Sequence, residues 1–188
     1  GEYMEKAQAY YDNLDAEITQ SEGWVSQNGG WWYRTSDGGY ETGWFPVNDK
    51  WFYANEKGWL QAGWQHIDGH WYFLHDTHDT RYGEMETGWQ KIGENRFLLN
   101  DKGQMLTGWQ LVKGKWYYLE ENGAMRTGWL QYKGGDYFLT NDGSMAVGLA
   151  QTRLDGACSI FDENGKLIVG KMVVEQDADG IVRLVESK

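Results

Sequence analysis

The alternation of apolar and polar positions is clearest between Thr107 and Trp129, TGWQLVKGKWYYLEENGAMRTGW, a stretch that opens and closes on the same triplet. Two strand-like runs, GWQLV and WYYLE, flank Lys113-Gly114-Lys115. Aromatic and β-branched residues favour a pleated strand, and a glycine between two such runs marks a hairpin turn. Asn122-Gly123 supplies a second turn signal, after which the pattern restarts. With the first turn centred on Lys113-Gly114, the period of two along a strand sets Trp109 opposite Tyr118 and Leu111 opposite Trp116 on one face. Gln110, Val112, Tyr117 and Leu119 then occupy the other. A slip of one residue would exchange the faces. A lone hairpin is marginal in water, so the unit must bury its aromatic surface against its neighbours.

The same unit recurs along the chain. It starts at Gly23, Gly43, Gly63, Gly88, Gly108, Gly128 and Gly148, with a last partial copy from Gly170, at intervals of 20, 20, 25, 20, 20, 20 and 22 residues. The consensus is GW, a short turn, WYYL, a glycine turn, a Met and TGW. The third unit carries five extra residues in the loop LHDTHDTRYG. Because a turn lengthens without moving its strands, residues 75 to 82 are expected outside the hairpin stack. The fourth unit has Arg96 where the fifth has Trp116, and the sixth has Asp136 there. The seventh replaces the signature with Leu149 and Cys158-Ser159-Ile160. The eighth, GKMVVEQDADGIVRLV, reads as one hairpin closed by Asp179-Gly180. Terminal repeats that cap a stack are expected to be atypical in this way.

Ahead of the repeats, Tyr3, Ala7, Tyr10, Tyr11 and Leu14 recur at three- and four-residue steps and predict a short helix over about residues 3–17. The expected organisation is an N-terminal helix and linker over 1–22 and a repeat domain over 23–188, aromatic-rich to 147 and degenerate from 148. The fold class is all-β, a stack of hairpins with one short helix. Composition narrows the partners. A formal net charge of −11 argues against nucleic acid or an anionic membrane as the main partner. No apolar run approaches membrane-spanning length, so membrane insertion is not expected. One cysteine, Cys158, leaves no intramolecular disulfide framework. A start without a signal peptide leads to the expectation of a processed chain or a fragment, with an upstream catalytic or adhesin domain elsewhere.

The pattern GW…WYYL…G.M.TGW resembles the choline-binding repeats of pneumococcal surface proteins and phage lysins, a branch of the wider cell-wall-binding repeats. Related repeats occur in streptococcal glucan-binding domains and in the C-terminal repeats of clostridial toxins. The resemblance covers about residues 23 to 147 and continues only as rhythm to 188. It implies a hairpin solenoid that is secreted and attached to a bacterial cell wall or surface. Its ligand would sit between consecutive hairpins, enclosed by aromatics from both and often flanked by a Met.

The chemistry of such a ligand agrees. A quaternary ammonium donates no hydrogen bond, so only desolvated contact and the negative faces of aromatic rings can hold it, at roughly 0.5–2 kcal/mol per ring. The resemblance therefore marks Trp24, Trp31 and Tyr33; Trp44, Trp51 and Tyr53; Trp64, Trp71 and Phe73; Trp109, Trp116 and Tyr118; Trp129 and Tyr137; and Met85 and Met125 as candidate ligand contacts. The plainer reading is that these rings are the solenoid core. That reading suits Tyr72, Tyr117 and Leu119 best. It suits the tryptophans least, because the last two units keep the rhythm without them. Nothing points to catalysis or a cofactor. His66, His70, His75 and His78 match no closed zinc pattern, and a solvated loop is expected around the last two. Asp177-Ala-Asp179-Gly180 lacks the downstream glutamate of a calcium loop and is read as a turn. The expected function is a binding module for choline on teichoic acid. The alternatives are a glucan or other polysaccharide stacked on the same tryptophans, and an adhesin rod that binds a host protein.

Overall fold

A computed structural model describes residues 4–10, 21–170 and 173–185. Residues 4–10 are helical; the rest of the helix expected to residue 17, and most of the linker to residue 22, lie outside the described residues. Everything that follows is built from two-stranded antiparallel sheets, eight among the described residues. They are β1 (Gly23–Gln27) with β2 (Gly30–Arg34), β3 (Gly43–Val47) with β4 (Lys50–Ala54), β5 (Gly63–Ile67) with β6 (His70–Leu74), and β7 (Gly88–Ile92) with β8 (Asn95–Leu99). The series continues with β9 (Gly108–Val112) and β10 (Lys115–Leu119), β11 (Gly128–Tyr132) and β12 (Gly135–Leu139), β13 (Gly148–Gln151) and β14 (Cys158–Phe161), and β15 (Val173–Gln176) and β16 (Val182–Val185). The chain packs as two compact units, Gly1–Leu106 with hairpins one to four and Thr107–Lys188 with hairpins five to eight.

Turn chemistry sets the register. Lys113 and Gly114 both lie at positive φ, 50° and 79°. This is the geometry of a two-residue turn whose twist matches that of the strands it joins. Trp109 consequently pairs with Tyr118, and Trp116 with Leu111, as the alternation predicts. Asn28-Gly29, Asp68-Gly69 and Lys133-Gly134 repeat the conformation, and Asn48-Asp49 reaches it without glycine. After each WYYL strand the chain turns back and bridges the end of that strand, Leu74 to Met85, Leu99 to Met105, Leu119 to Met125 and Leu139 to Met145. Side-chain oxygens close several of these loops. Asn100 Oδ1 accepts the N–H groups of Lys102 and Gln104 at 2.9 Å, and Asp162 Oδ1 those of Asn164 and Lys166 at the same distance. Asp177 Oδ1 takes the equivalent role towards Asp179 and Ile181, so the DADG run is a turn.

Two devices join one hairpin to the next. The first is a backbone hydrogen bond: the N–H at the Met position donates to the carbonyl of the residue that opens WYY one repeat earlier. Leu60 donates to Trp31, Met85 to Trp51 and Met105 to Trp71, each at 2.8 Å. In the second unit Met145 donates to Trp116 at 2.7 Å and Leu167 to Asp136 at 2.8 Å. The second device is a close approach of the loop glycine to the Met-position side chain of the preceding repeat. A Cβ on Gly103 would stand 2.5 Å from Met85 Sδ, and one on Gly143 or Gly165 would collide likewise with Met125 or Met145. Glycine is required there twice over, because φ at Gly103 is +78°.

Most of the buried side chains lie on the face away from the tryptophans. Leu74, Leu99, Leu119 and Leu139, each closing a WYYL strand, are almost completely buried, and Phe161 occupies the same position in the seventh hairpin. The inserted loop leaves the strands of the third hairpin in place, and residues 76–81 are exposed, as expected of a solvated loop, but the loop is also anchored. Glu86, buried beside β6, accepts hydrogen bonds from His75 Nδ1 at 2.9 Å and Arg81 Nη2 at 2.8 Å. His75 Nε2 also meets Asp79 Oδ2 at 3.1 Å, and Arg81 Nε donates to Glu84 at 3.2 Å. A buried carboxylate needs such partners, and satisfying it draws the loop down onto the first unit.

Candidate ligand-binding clefts

The two tryptophans of each repeat do different work. The GW tryptophan is wedged. In five hairpins its ring meets the third aromatic of its own WYY strand edge-on: Trp24 with Tyr33 and Trp44 with Tyr53 at 5.1 Å, and Trp64 with Phe73, Trp109 with Tyr118 and Trp129 with Phe138 at 5.2 Å. It also packs on the middle aromatic of the next repeat, Trp24 on Phe52 at 4.9 Å, Trp44 on Tyr72 at 4.8 Å, Trp64 on Phe97 at 4.9 Å and Trp109 on Tyr137 at 5.4 Å. These edge-to-face distances are the favourable range for aromatic pairs. The WYY tryptophan stands out from the hairpin. Trp31, Trp51, Trp71 and Trp116 keep 40%, 46%, 45% and 41% of their surface exposed. Four large apolar side chains left open at one repeated position indicate a surface kept for contact.

Together these contacts define a recurring cleft. Its walls are the GW and WYY tryptophans of one repeat, with the middle aromatic and the Met-position residue of the next. Trp64 and Trp71 face each other at 6.4 Å with rings 84° apart, and Trp109 and Trp116 repeat this at 6.4 Å and 85°. Phe97 packs on Trp64 in the first pair and Tyr137 on Trp109 in the second, and the backbone N–H groups of Met105 and Met145 bond the carbonyls of Trp71 and Trp116. Tyr33, Tyr53, Phe73 and Tyr118 brace the GW tryptophans from behind, and Phe73 is buried. The Met85 N–H donates to the Trp51 carbonyl, and the side chains of Met85 and Met125 pack towards Gly103 and Gly143. Sequence reasoning does not single out Phe52, Phe97, Leu60, Met105 or Met145 as contacts, and it assigns Tyr72 to the core, where it is buried. Their signal is the phase of the repeat, since each cleft borrows two residues from the unit that follows.

The first cleft is enclosed further. A cavity of about 470 Å³ is lined by Trp24, Trp31, Phe52 and Leu60 on one side and by His78, Asp79, Thr80 and Tyr82 of the inserted loop on the other. His78 stacks on Tyr82 at 4.3 Å and 15°, which stiffens the loop where it meets the cavity. The remaining candidate, Trp129, is 41% exposed and packs on Phe138 and Phe161. The place of its WYY tryptophan is taken by exposed Asp136, whose carbonyl still receives Leu167. Arg96 is likewise exposed at the equivalent position of the fourth hairpin. Among the described residues, no group of three or more His, Cys, Asp or Glu side chains is placed to hold a metal ion.

Comparison with known proteins agrees with this geometry. The family described as choline-binding repeat matches residues 86–127 and 106–149, and the one described as putative cell wall binding repeat matches 22–39, 42–58 and 62–77. Comparison with curated protein sequences gives no match. Among solved structures, choline binding protein F from Streptococcus pneumoniae, crystallised in the presence of a peptidoglycan analogue, is 35% identical with a TM-score of 0.69, covering 79% of this chain and 47% of its own. CbpJ from Streptococcus pneumoniae TIGR4 is 30% identical with a TM-score of 0.74, covering 85% and 57%. The modular autolysin LytC from Streptococcus pneumoniae is 27% identical with a TM-score of 0.58, covering 88% and 39%. The chain thus spans about half the length of these relatives or less. Matched family repeats from residue 22 to residue 149, together with this succession of tryptophan hairpins, make the chain a member of the choline-binding, cell-wall-binding repeat family.

Proposed function

We propose that the chain is a non-catalytic attachment module that holds a secreted protein to a bacterial cell wall by binding the choline groups of teichoic acid. The supporting observation is the exposed tryptophan at Trp31, Trp51, Trp71 and Trp116, with Trp71 and Trp116 each 6.4 Å from a second tryptophan and Trp31 lining one cavity with Trp24, Phe52 and Leu60. A trimethylammonium head placed there meets ring faces and gives up only weak hydration. A single cleft of two or three rings binds weakly, near millimolar in scale. Several clefts on one chain gain avidity against a polymer that displays many such groups. The acidic surface, with a net charge of −11, favours approach of the cationic groups.

The test is retention on an immobilised choline analogue. Elution by free choline, and not by dextran, is the expected result. Elution by dextran would favour a polysaccharide ligand stacked on the same rings. That second reading draws support from the first cavity, where a carboxylate and a hydroxyl stand beside the tryptophans.

A further inference from the structure

Across the hairpin from each exposed tryptophan stands one residue of the GW strand. It is Ser26 for Trp31, Pro46 for Trp51, His66 for Trp71 and Leu111 for Trp116. Of these four only His66 is titratable. Its imidazole lies against the Trp71 indole, with ring centroids 4.9 Å apart and planes tilted by 40°. Trp64 meets the same indole edge-on at 6.4 Å. His66 is exposed and Trp71 keeps 45% of its surface open, so the contact sits on the solvent side of the hairpin.

A neutral imidazole rests on an indole as one flat ring beside another. A protonated one is a cation within the range of about 6 Å at which aromatic faces attract positive charge. The chain already sets a fixed cation in this way, with Lys133 Nζ 5.3 Å from the centre of the Tyr132 ring. The charged neighbours of His66 come from few elements. On its own hairpin they are Asp68, in the turn, and His70, which pairs with Ile67 and alternates to the other face. The following hairpin, which reaches Trp64 through Phe97, brings Lys91, Glu94 and Arg96, and the loop after it Asp101 and Lys102. The preceding hairpin packs on the other face, through Trp44 on Tyr72, and the inserted loop runs towards Trp24 and Trp31. By residue type, only His66 and His70 among these change charge between about pH 5 and 8.

We propose that His66 is an internal competitor for the cleft of Trp64 and Trp71: protonated, it takes the aromatic surface of Trp71 that a cationic ligand needs, and neutral, it yields that surface. This rests on the choline reading of the clefts and adds a pH response confined to one of them. Two effects act in the same sense. The imidazolium engages the π-system of Trp71, and it repels a second cation held a ring's width away. A ligand cation therefore binds more tightly where the imidazole is neutral and more weakly where it is charged. In the fifth hairpin Leu111 holds the equivalent place, and residues 107–188 contain no histidine. The cleft of Trp109 and Trp116 has no such response.

Choline titrations of the full chain at pH 5 and pH 8, followed at the indole N–H signals of Trp71 and Trp116, test this. A quaternary ammonium carries its charge at both values, so the comparison reads the protein alone, and Trp71→Phe and Trp116→Phe identify the signals. At Trp71 the affinity is expected to be about two- to fivefold lower at pH 5, the size of one cation–ring contact at an accessible site. At Trp116 it should not change. His66→Leu installs the residue that the fifth hairpin exposes at Leu111, and should raise the pH 5 affinity at Trp71 to its pH 8 value. His66→Lys should hold the affinity low at both, and His70→Gln should leave the difference in place. Without ligand, the Trp71 indole signal should move with the His66 ring signals as pH falls, and should cease to do so in His66→Leu. Equal affinities at Trp71 in the unaltered chain would overturn the proposal, as would a difference that survives His66→Leu or one that Trp116 shares. Silence at Trp71 with a response at Trp116 would also overturn it, while leaving the choline reading in place. Silence at every tryptophan would remove both.

Discussion

The carbonyl oxygen of Trp116 accepts the backbone N–H of Met145 at 2.7 Å, so an exposed ring of the fifth hairpin is tied to a thioether residue of the sixth. The bond is made by main chain alone and fixes where Trp116 leaves the strand, while its ring stays 41% exposed. Trp109, by contrast, is packed by Tyr118, Tyr132 and Tyr137. Trp116→Ala should abolish ligand binding in its cleft at a stability cost of under about 1 kcal/mol, in the range of exposed substitutions. Trp109→Ala should lose the same cleft and also about 2–4 kcal/mol, as large aromatic deletions in packed sites do. Ligand titration by fluorescence together with urea denaturation separates the two. Equal stability losses would show that the two tryptophans do not divide the work.

Glycine in the loop is a packing device as well as a turn residue. Gly103→Ala places a methyl group against Met85 Sδ in a backbone conformation that L residues resist, φ +78°. The conformational part costs roughly 1–2 kcal/mol and the overpacking a further 1–3 kcal/mol. Met85→Ala made in addition should recover the overpacking part only. Thermal melts of the two single variants and the double variant complete the cycle. A strictly additive double variant would mean that the glycine and the methionine do not meet.

The alternation of the strands and the turn residues made the register legible: Lys113-Gly114 and the flanking aromatics suffice to pair Trp109 with Tyr118. The phase between repeats was not. A one-dimensional pattern assigns each residue to its own unit, whereas the cleft of Trp116 takes Tyr137 and Met145 from the next one. The same limit applies to the insertion. Its hydrophilic run LHDTHDTRYG reads as a solvated loop, and residues 76–81 are exposed, but nothing in the sequence shows that Glu86 is buried beside it. Once that carboxylate is buried, His75 and Arg81 have a reason to reach it. The tryptophan contacts were partly legible: their spacing marks them as special, but only packing distinguishes the wedged Trp64 from the exposed Trp71.

The loop should respond to pH through His75. Burial opposes its protonation, but the hydrogen bonds to Asp79 and Glu86 outweigh that and the repulsion of Arg81, so its pKa is raised above the ordinary 6.5. A raised folded-state pKa means that the native loop holds the proton more tightly than the unfolded chain does. Its contribution to stability is therefore complete below about pH 6.5 and is lost as pH rises through the folded value. An imidazole titration by NMR should place the His75 midpoint above those of its free-solution analogues. Protection of the loop amides, corrected for intrinsic exchange, should fall across the same interval. His75→Gln should remove that pH dependence; an unchanged profile would mean that another group governs the loop.

Asp136 offers the cleanest test of whether the backbone plan or the side chain makes a cleft. Its carbonyl receives Leu167 at 2.8 Å, as the Trp116 carbonyl receives Met145, so the frame of a cleft is intact where the second ring is missing. Trp129 is present and 41% exposed, with Phe161 behind it. Asp136→Trp should therefore add a ring wall without rearranging the stack, because the substituted side chain starts out exposed. One ring is worth roughly 0.5–1 kcal/mol at an accessible site, a gain of about two- to fivefold for a trimethylammonium ligand at Trp129. Removal of the carboxylate works in the opposite sense, so Asp136→Ala provides the reference that isolates the ring. The measurement is the choline response of the Trp129 indole signal in the three proteins, with melting temperatures as a check that the fold is unchanged. If Asp136→Trp binds no better than the alanine reference, the middle aromatic of the following repeat, replaced by Ser159 in the seventh hairpin, matters more than the exposed tryptophan.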